Sequence, residues 1–174
     1  MKVYIGNYRT HRWYHRLLKW YPDQKKYIKI DKWDSWSMDH TLAEFIVPML
    51  RQLRDNTHSA PFVDLDDRPE HLIGTIPKRE QGDVDEYHFD AWDWVLSEML
   101  FAFEGKHNDW EQQFYSGECD IEWKLLEGRE EEMYEMVHGP NHTWEIDREG
   151  RDAYQKRITN GFRLFGRYYE NLWD

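Results

Sequence analysis

Cysteine is almost missing from this sequence: Cys119 stands alone among 174 residues. A single thiol excludes an intrachain disulfide and a cysteine metal cluster, so no covalent staple organises the fold. Long hydrophobic runs are missing as well, and no stretch approaches the ~20 apolar residues of a membrane span. No basic-then-apolar leader opens the chain, so a reduced cytoplasm is the expected home. Also absent are a phosphate-binding glycine loop, a nucleophile-elbow serine, internal repeats and low-complexity tracts. The commonest activities that announce themselves by motif go with them.

What is present is aromatic and acidic. Aromatic residues make up 17% and hydrophobic residues 40% of the chain, too much for a disordered segment and enough for a core. The length is that of one domain, 1–174. The net charge of −11 is segregated along it. Residues 1–30 carry eight Lys or Arg against Asp23 alone, residues 31–150 ten bases against thirty acids, and residues 151–174 five against three. In the ordinary reading the basic ends neutralise the acidic middle; in the sharper one an acidic surface competes for a nucleic-acid-binding host protein. Direct nucleic-acid binding is disfavoured, because phosphate repulsion would oppose the acidic body.

Hydrophobic periodicity sets out the elements. The basic segment 1–30 reads as strand–helix–strand: "KVYIG", then "THRWYHRLLKWY" behind a Thr10 cap, then "KKYIKID". "SWSMDHTLAEFIVPMLRQLRD" predicts a helix with Leu42, Phe45, Ile46, Met49, Leu50 and Leu53 on one stripe and Pro48 inside it. Residues 55–84 lose periodicity and gain acids and prolines, an acidic long loop expected to be exposed and mobile. "DEYHFDAWDWVLSEMLFAFEG" predicts a second helix ended by Gly105. Its main stripe is Phe89, Trp92, Leu96, Met99, Leu100 and Phe103, while Tyr87, Trp94 and Phe101 cluster opposite with Glu98 among them. A helix apolar on two sides is buried between layers or buried in a partner.

"ECDIEWKLL" and "EEMYEMVHG" predict a hairpin, and "HTWEID" a third strand. Asp147 then caps a final helix whose stripe holds Tyr154, Ile158, Phe162, Phe165, Tyr168, Tyr169 and Leu172. Gly161 falls on that stripe and marks either a close backbone crossing or, with Asn160, a turn. The fold class is therefore α+β, a small mostly antiparallel sheet packed by three main helices near 37–54, 85–104 and 148–172. The Tyr87, Trp94 and Phe101 face is expected to meet the sheet, and leftover aromatic surface to form a symmetric homodimer.

Candidate chemistry is sparse. Asp39 interrupts an apolar stripe, which reads either as a first-turn carboxylate favoured by the helix dipole or as a buried functional acid. Glu98 is the second buried-acid candidate, and both are expected to point inward and to be hydrogen-bonded. Asp39, His40, Glu98 and Glu104 supply the ligand types of a carboxylate–histidine metal site, without the Glu-x-x-His pair of a di-iron helix. Binding candidates are Asp39, His40, Glu98, Trp94, Tyr87 and Phe101. His11 and His15 share a helical face but lack an acidic third ligand, and "DLDDRPE" lacks the glycine of a helix-loop-helix calcium loop. Cys119 is expected in the core. The sequence requires no cofactor.

Four stretches, "KIDKWDSWSMDHTLA", "HSAPFVDLDDRPEHL", "WDWVLSEM" and "ITNGFRLFGRYYENLWD", resemble a family of uncharacterised proteins encoded by tailed bacteriophages, including marine phages. The resemblance covers Lys29 to Asp174; the first thirty residues match less well. It implies a viral source, with action in the cytoplasm of the infected host or a place in the virion, and it carries over no catalytic residue. The expectation is a non-enzymatic accessory protein that binds a host component, a host protein or a small ligand, with counteraction of host defence as one form. A metal-dependent enzyme using buried carboxylates and a virion structural component are the rivals.

Overall fold

A computed structural model describes residues 2–5, 13–19, 26–74, 84–126 and 133–173. Contacts divide the chain into two compact units, Met1–Leu42 and Ala43–Asp174. The fold is α+β, with antiparallel strands and three main helices.

In the first unit β1 (Lys2–Ile5) pairs antiparallel with β2 (Lys26–Lys29), Val3 opposite Ile28 and Tyr4 opposite Tyr27. The helix α1 (Trp13–Leu18) lies between them in sequence. Both strands and the helix match the periodicity; the Thr10 cap and His11 lie outside the described residues, as does the His15 side chain. A 3₁₀ turn over Lys32–Ser35 follows, closed by a reciprocal cap. The Asp31 carboxylate accepts from the Trp33 N–H at 3.1 Å, and the Asp34 carboxylate from the Asp31 N–H at 2.7 Å.

The second helix, α2, runs Met38–Asn56 and passes through Pro48, as predicted. Its buried residues are Ala43, Val47 and Leu50, with Ile46 and Leu53 packed beside them. Leu42 and Met49, assigned to the stripe from sequence, are exposed. The true stripe is turned toward the small Ala43 and the β-branched Val47, residues that a count of large apolar side chains passes over.

The centre of the second unit is α3 (His88–His107), buried on nearly every side. Trp92, Val95, Leu96 and Met99 are inaccessible or nearly so. Each such side chain contributes about 1.5–3 kcal/mol of transfer free energy, so this helix holds most of the core. Phe89 is exposed, contrary to its place in the predicted stripe. Gly105 does not end the helix, which continues to His107; a Cβ there would stand 2.9 Å from Ile158 Cδ1. Its use is contact, not termination.

Across α3 lies α4 (Arg148–Arg167), started by Asp147, whose side chain accepts from the Gly150 N–H at 2.9 Å. Ile158, Gly161 and Leu164 are its buried residues, and Tyr168, just past its end, is buried too. A Cβ on Gly161 would sit 2.3 Å from the Glu98 carbonyl oxygen and 2.5 Å from Ala102 Cβ. Only a glycine lets the two backbones approach this closely, which decides for the crossing and against the turn. Tyr169, placed on the stripe by periodicity, is exposed, because the chain tightens into a 3₁₀ turn over Tyr169–Asn171.

The remaining strands form separate two-stranded pairs. β3 (Tyr115–Ser116) pairs with β6 (Glu145–Ile146), and β4 (Ile121–Leu125) with β5 (Tyr134–His138). The hairpin register sets Ile121 opposite His138, Trp123 opposite Met136 and Leu125 opposite Tyr134. The residues joining its strands, 127–132, lie outside the described residues.

Candidate functional site

Glu98 projects from the middle of α3 and is 5% exposed, as its place among aromatics predicts. Arg157, on α4, satisfies it: Nε donates to both carboxylate oxygens at 3.1 and 3.0 Å, and Nη2 donates to Oε1 at 2.6 Å. The guanidinium stacks over Phe101, 3.8 Å from the ring centroid, and Phe101 meets Tyr154 at 4.7 Å. Tyr154 in turn stacks on Trp110 at 4.8 Å. The hydrogen bond to Glu98 raises the Arg157 pKa, opposed by its own desolvation. The face expected to meet the sheet is therefore met, at Phe101, by α4. Trp94 packs at the margin of the core, and the Tyr87 ring lies where a side chain on Gly74 would contact it at 3.2 Å.

A second buried carboxylate was missed. Asp67 has a side chain 1% exposed, yet it lies in the acidic segment predicted to be exposed. Arg163 donates to it at 2.6 Å, the Tyr168 hydroxyl at 2.8 Å, and Arg167 Nε lies 3.0 Å away. Arg167 also pairs with Asp64, and the Asp64 N–H donates to the Tyr168 oxygen at 3.1 Å. Arg68, equally buried, donates to the Val63 carbonyl at 3.1 Å and to Asp85 at 2.8 Å. The expectation of an exposed loop thus fails at Val63, Asp67, Arg68 and Leu72, which are buried, and holds at Asp64, Leu65, Asp66, Glu70 and His71, which are exposed. Acids there are neutralised by arginines one turn apart on α4, and opposed charge allows what repelling charge would forbid. Burial pushes the Tyr168 phenol up to about 12, and the neighbouring Asp67 carboxylate adds to the shift.

The other sequence candidates are scattered. Asp39 is 54% exposed beside an exposed His40 at 3.9 Å, so it does not point inward; the first turn of α2 leaves it at the surface. Glu104 is held by Arg51, whose Nη2 and Nε donate at 2.6 and 3.2 Å. That pair lines a groove of about 340 Å³ with Ala43, Val47, Pro48 and His107. Among the described residues no group of three or more His, Cys, Asp or Glu is placed to hold a metal ion. Cys119 is exposed, not core.

The hairpin has the opposite character. Residues opposed across an antiparallel pair share a face, so Ile121, Trp123 and Leu125 stand with His138, Met136 and Tyr134 on one side. All six are exposed, Trp123 at 65% and Met136 at 53%. Alternation correctly predicts the strands, but no other element among the described residues covers the apolar face they build. The strands are anchored at their base, where Gly139 N–H donates to the Asp120 carbonyl at 3.1 Å and Asn141 N–H to its carboxylate at 2.9 Å. No helix of the described residues is long and apolar enough to cross a membrane. No protein-family model, no curated protein and no solved structure matches the chain.

Proposed function

We propose that this chain is a non-enzymatic accessory protein of a tailed bacteriophage that binds a host component in the cytoplasm of the infected bacterium. One observation carries the binding part: the molecule pairs its buried carboxylates internally and leaves an ordered apolar hairpin face open to solvent. A carboxylate held by a bidentate arginine makes a poor general base or metal ligand, because its lone pairs are already engaged. Glu98, the buried residue an enzyme reading would use, is so held through both oxygens, while Glu104 takes both Arg51 bonds on Oε1 alone. An exposed Trp–Met–Tyr cluster costs solubility, and proteins place such clusters where a partner covers them. The viral source rests on the sequence resemblance, and counteracting host defence is one form the binding takes.

The test is affinity capture from infected cells, with the wild type and Trp123→Asp as parallel baits. A host protein retained by the first and lost by the second supports the reading. Equal retention by both removes the hairpin from it. Stoichiometric zinc, iron or manganese in the purified protein would replace it with the metal-enzyme reading, and recovery of the chain from purified particles would place it in the virion.

A further inference from the structure

Resting on that binding reading, we propose the chemistry of the partner: the β4–β5 face docks a basic amphipathic segment, lysine or arginine on one side and apolar residues on the other. A two-stranded hairpin alone in water is marginal, and needs a third strand or a helix packed on its apolar face. The described residues provide neither: the sheet has two strands, and both Trp123 and Met136 are open. The face asks for a cover.

Size restricts what that cover is. Five-residue strands are about 17 Å long and the pair about 10 Å wide, a patch of a few hundred Å². A stable symmetric dimer buries roughly 800 Å² on each copy, more than this face offers. A peptide-sized segment fits it; a helix of about 11 residues has the same length as the strands.

Charge restricts it further. Among the described residues of 118–138, Glu118, Asp120, Glu122 and Glu135 stand against Lys124, a balance of −3. Glu122, Lys124 and Glu135 occupy the reverse of the same two strands. There Lys124 stands opposite Glu135 and Glu122 beside them, a balance of −1, while Glu118 and Asp120 lie just before β4 and keep the surroundings of the apolar face negative. Two copies meeting face to face would bring like charge together, whereas a basic segment gains both apolar burial and attraction.

The experiment titrates two synthetic amphipathic peptides of one apolar pattern, one with lysine and one with glutamate on the polar face, against the full chain. Fluorescence and sedimentation are read together. The lysine peptide is expected to bind, weaken as salt rises, and lose at least tenfold in affinity on Trp123→Asp. Glu122→Gln with Glu135→Gln, which removes two charges without setting like charges opposite Lys124, should weaken it several-fold while the melting temperature holds. Equal binding of both peptides overturns the charge argument and with it the proposal. Self-association abolished by Trp123→Asp overturns it in favour of a second copy. Failure of the lysine peptide, while capture from cells still depends on Trp123, overturns the basic segment and leaves the binding reading standing.

Discussion

Replacing Gly161 by alanine adds one methyl group at the tightest point of the molecule. The new Cβ would lie 2.3 Å from the Glu98 carbonyl oxygen and 2.5 Å from Ala102 Cβ. Non-bonded heavy atoms settle at about 3.5 Å or more, so the helices must part by roughly 1 Å. Ala102 is inaccessible and the Glu98 carbonyl is helix backbone, so neither yields by rotating a side chain. Overpacking of this kind costs ~1–3 kcal/mol, against a helix-propensity gain of up to ~1 kcal/mol for Gly→Ala. The net expectation is a loss of about 1–2 kcal/mol, and a larger loss for Gly161→Leu. Gly166 supplies the internal control, since a Cβ there meets nothing within 4 Å. Gly166→Ala should show the propensity gain alone and stabilise by up to ~1 kcal/mol. Urea unfolding followed by tryptophan fluorescence, to which buried Trp92 contributes, reads both variants. If Gly161→Ala stabilises as much as Gly166→Ala, the two helices do not cross at Gly161.

Other outcomes follow from the charge clusters. Asp67→Ala takes the shared acceptor from Arg163, Arg167 and the Tyr168 hydroxyl and should cost ~1–3 kcal/mol by the same urea titration, both arginines being half exposed. Tyr168 has a folded-state pKa raised from 10.0 to about 12. Its contribution to stability is therefore complete below pH 10 and is lost as pH climbs through 12; Tyr168→Phe should remove that part of the alkaline loss, and unchanged pH curves would deny the burial. Asp39→Ala, at an exposed first turn, should change stability by less than ~1 kcal/mol. A loss of several kcal/mol would return Asp39 to the interior.

Much of the fold was legible in the sequence because period is a local property. The phase of Ile158, Gly161 and Tyr168 along α4, the Asp147 cap and the alternation of Ile121, Trp123 and Leu125 are fixed by neighbours a few residues away. Glu98 was legible as a buried acid because aromatics surround it within one helix. Asp67 was not, since its partners Arg163, Arg167 and Tyr168 lie about a hundred residues on, and no local pattern ties them to it. The one available signal was the four-residue spacing of Arg163 and Arg167, which puts both guanidinium groups on one helical face. Exposure of the hairpin was illegible for a related reason: alternation reveals which side chains share a face, whereas covering that face is a tertiary event.

The central claim, that this protein works by offering the hairpin's apolar face to a partner, is tested most directly by hydrogen exchange on the captured complex. Amide protection should rise over Ile121–Leu125 and Tyr134–His138 when the host partner is bound, with the Arg51–Glu104 groove unchanged. Unaltered exchange in both strands, with new protection elsewhere, would contradict it.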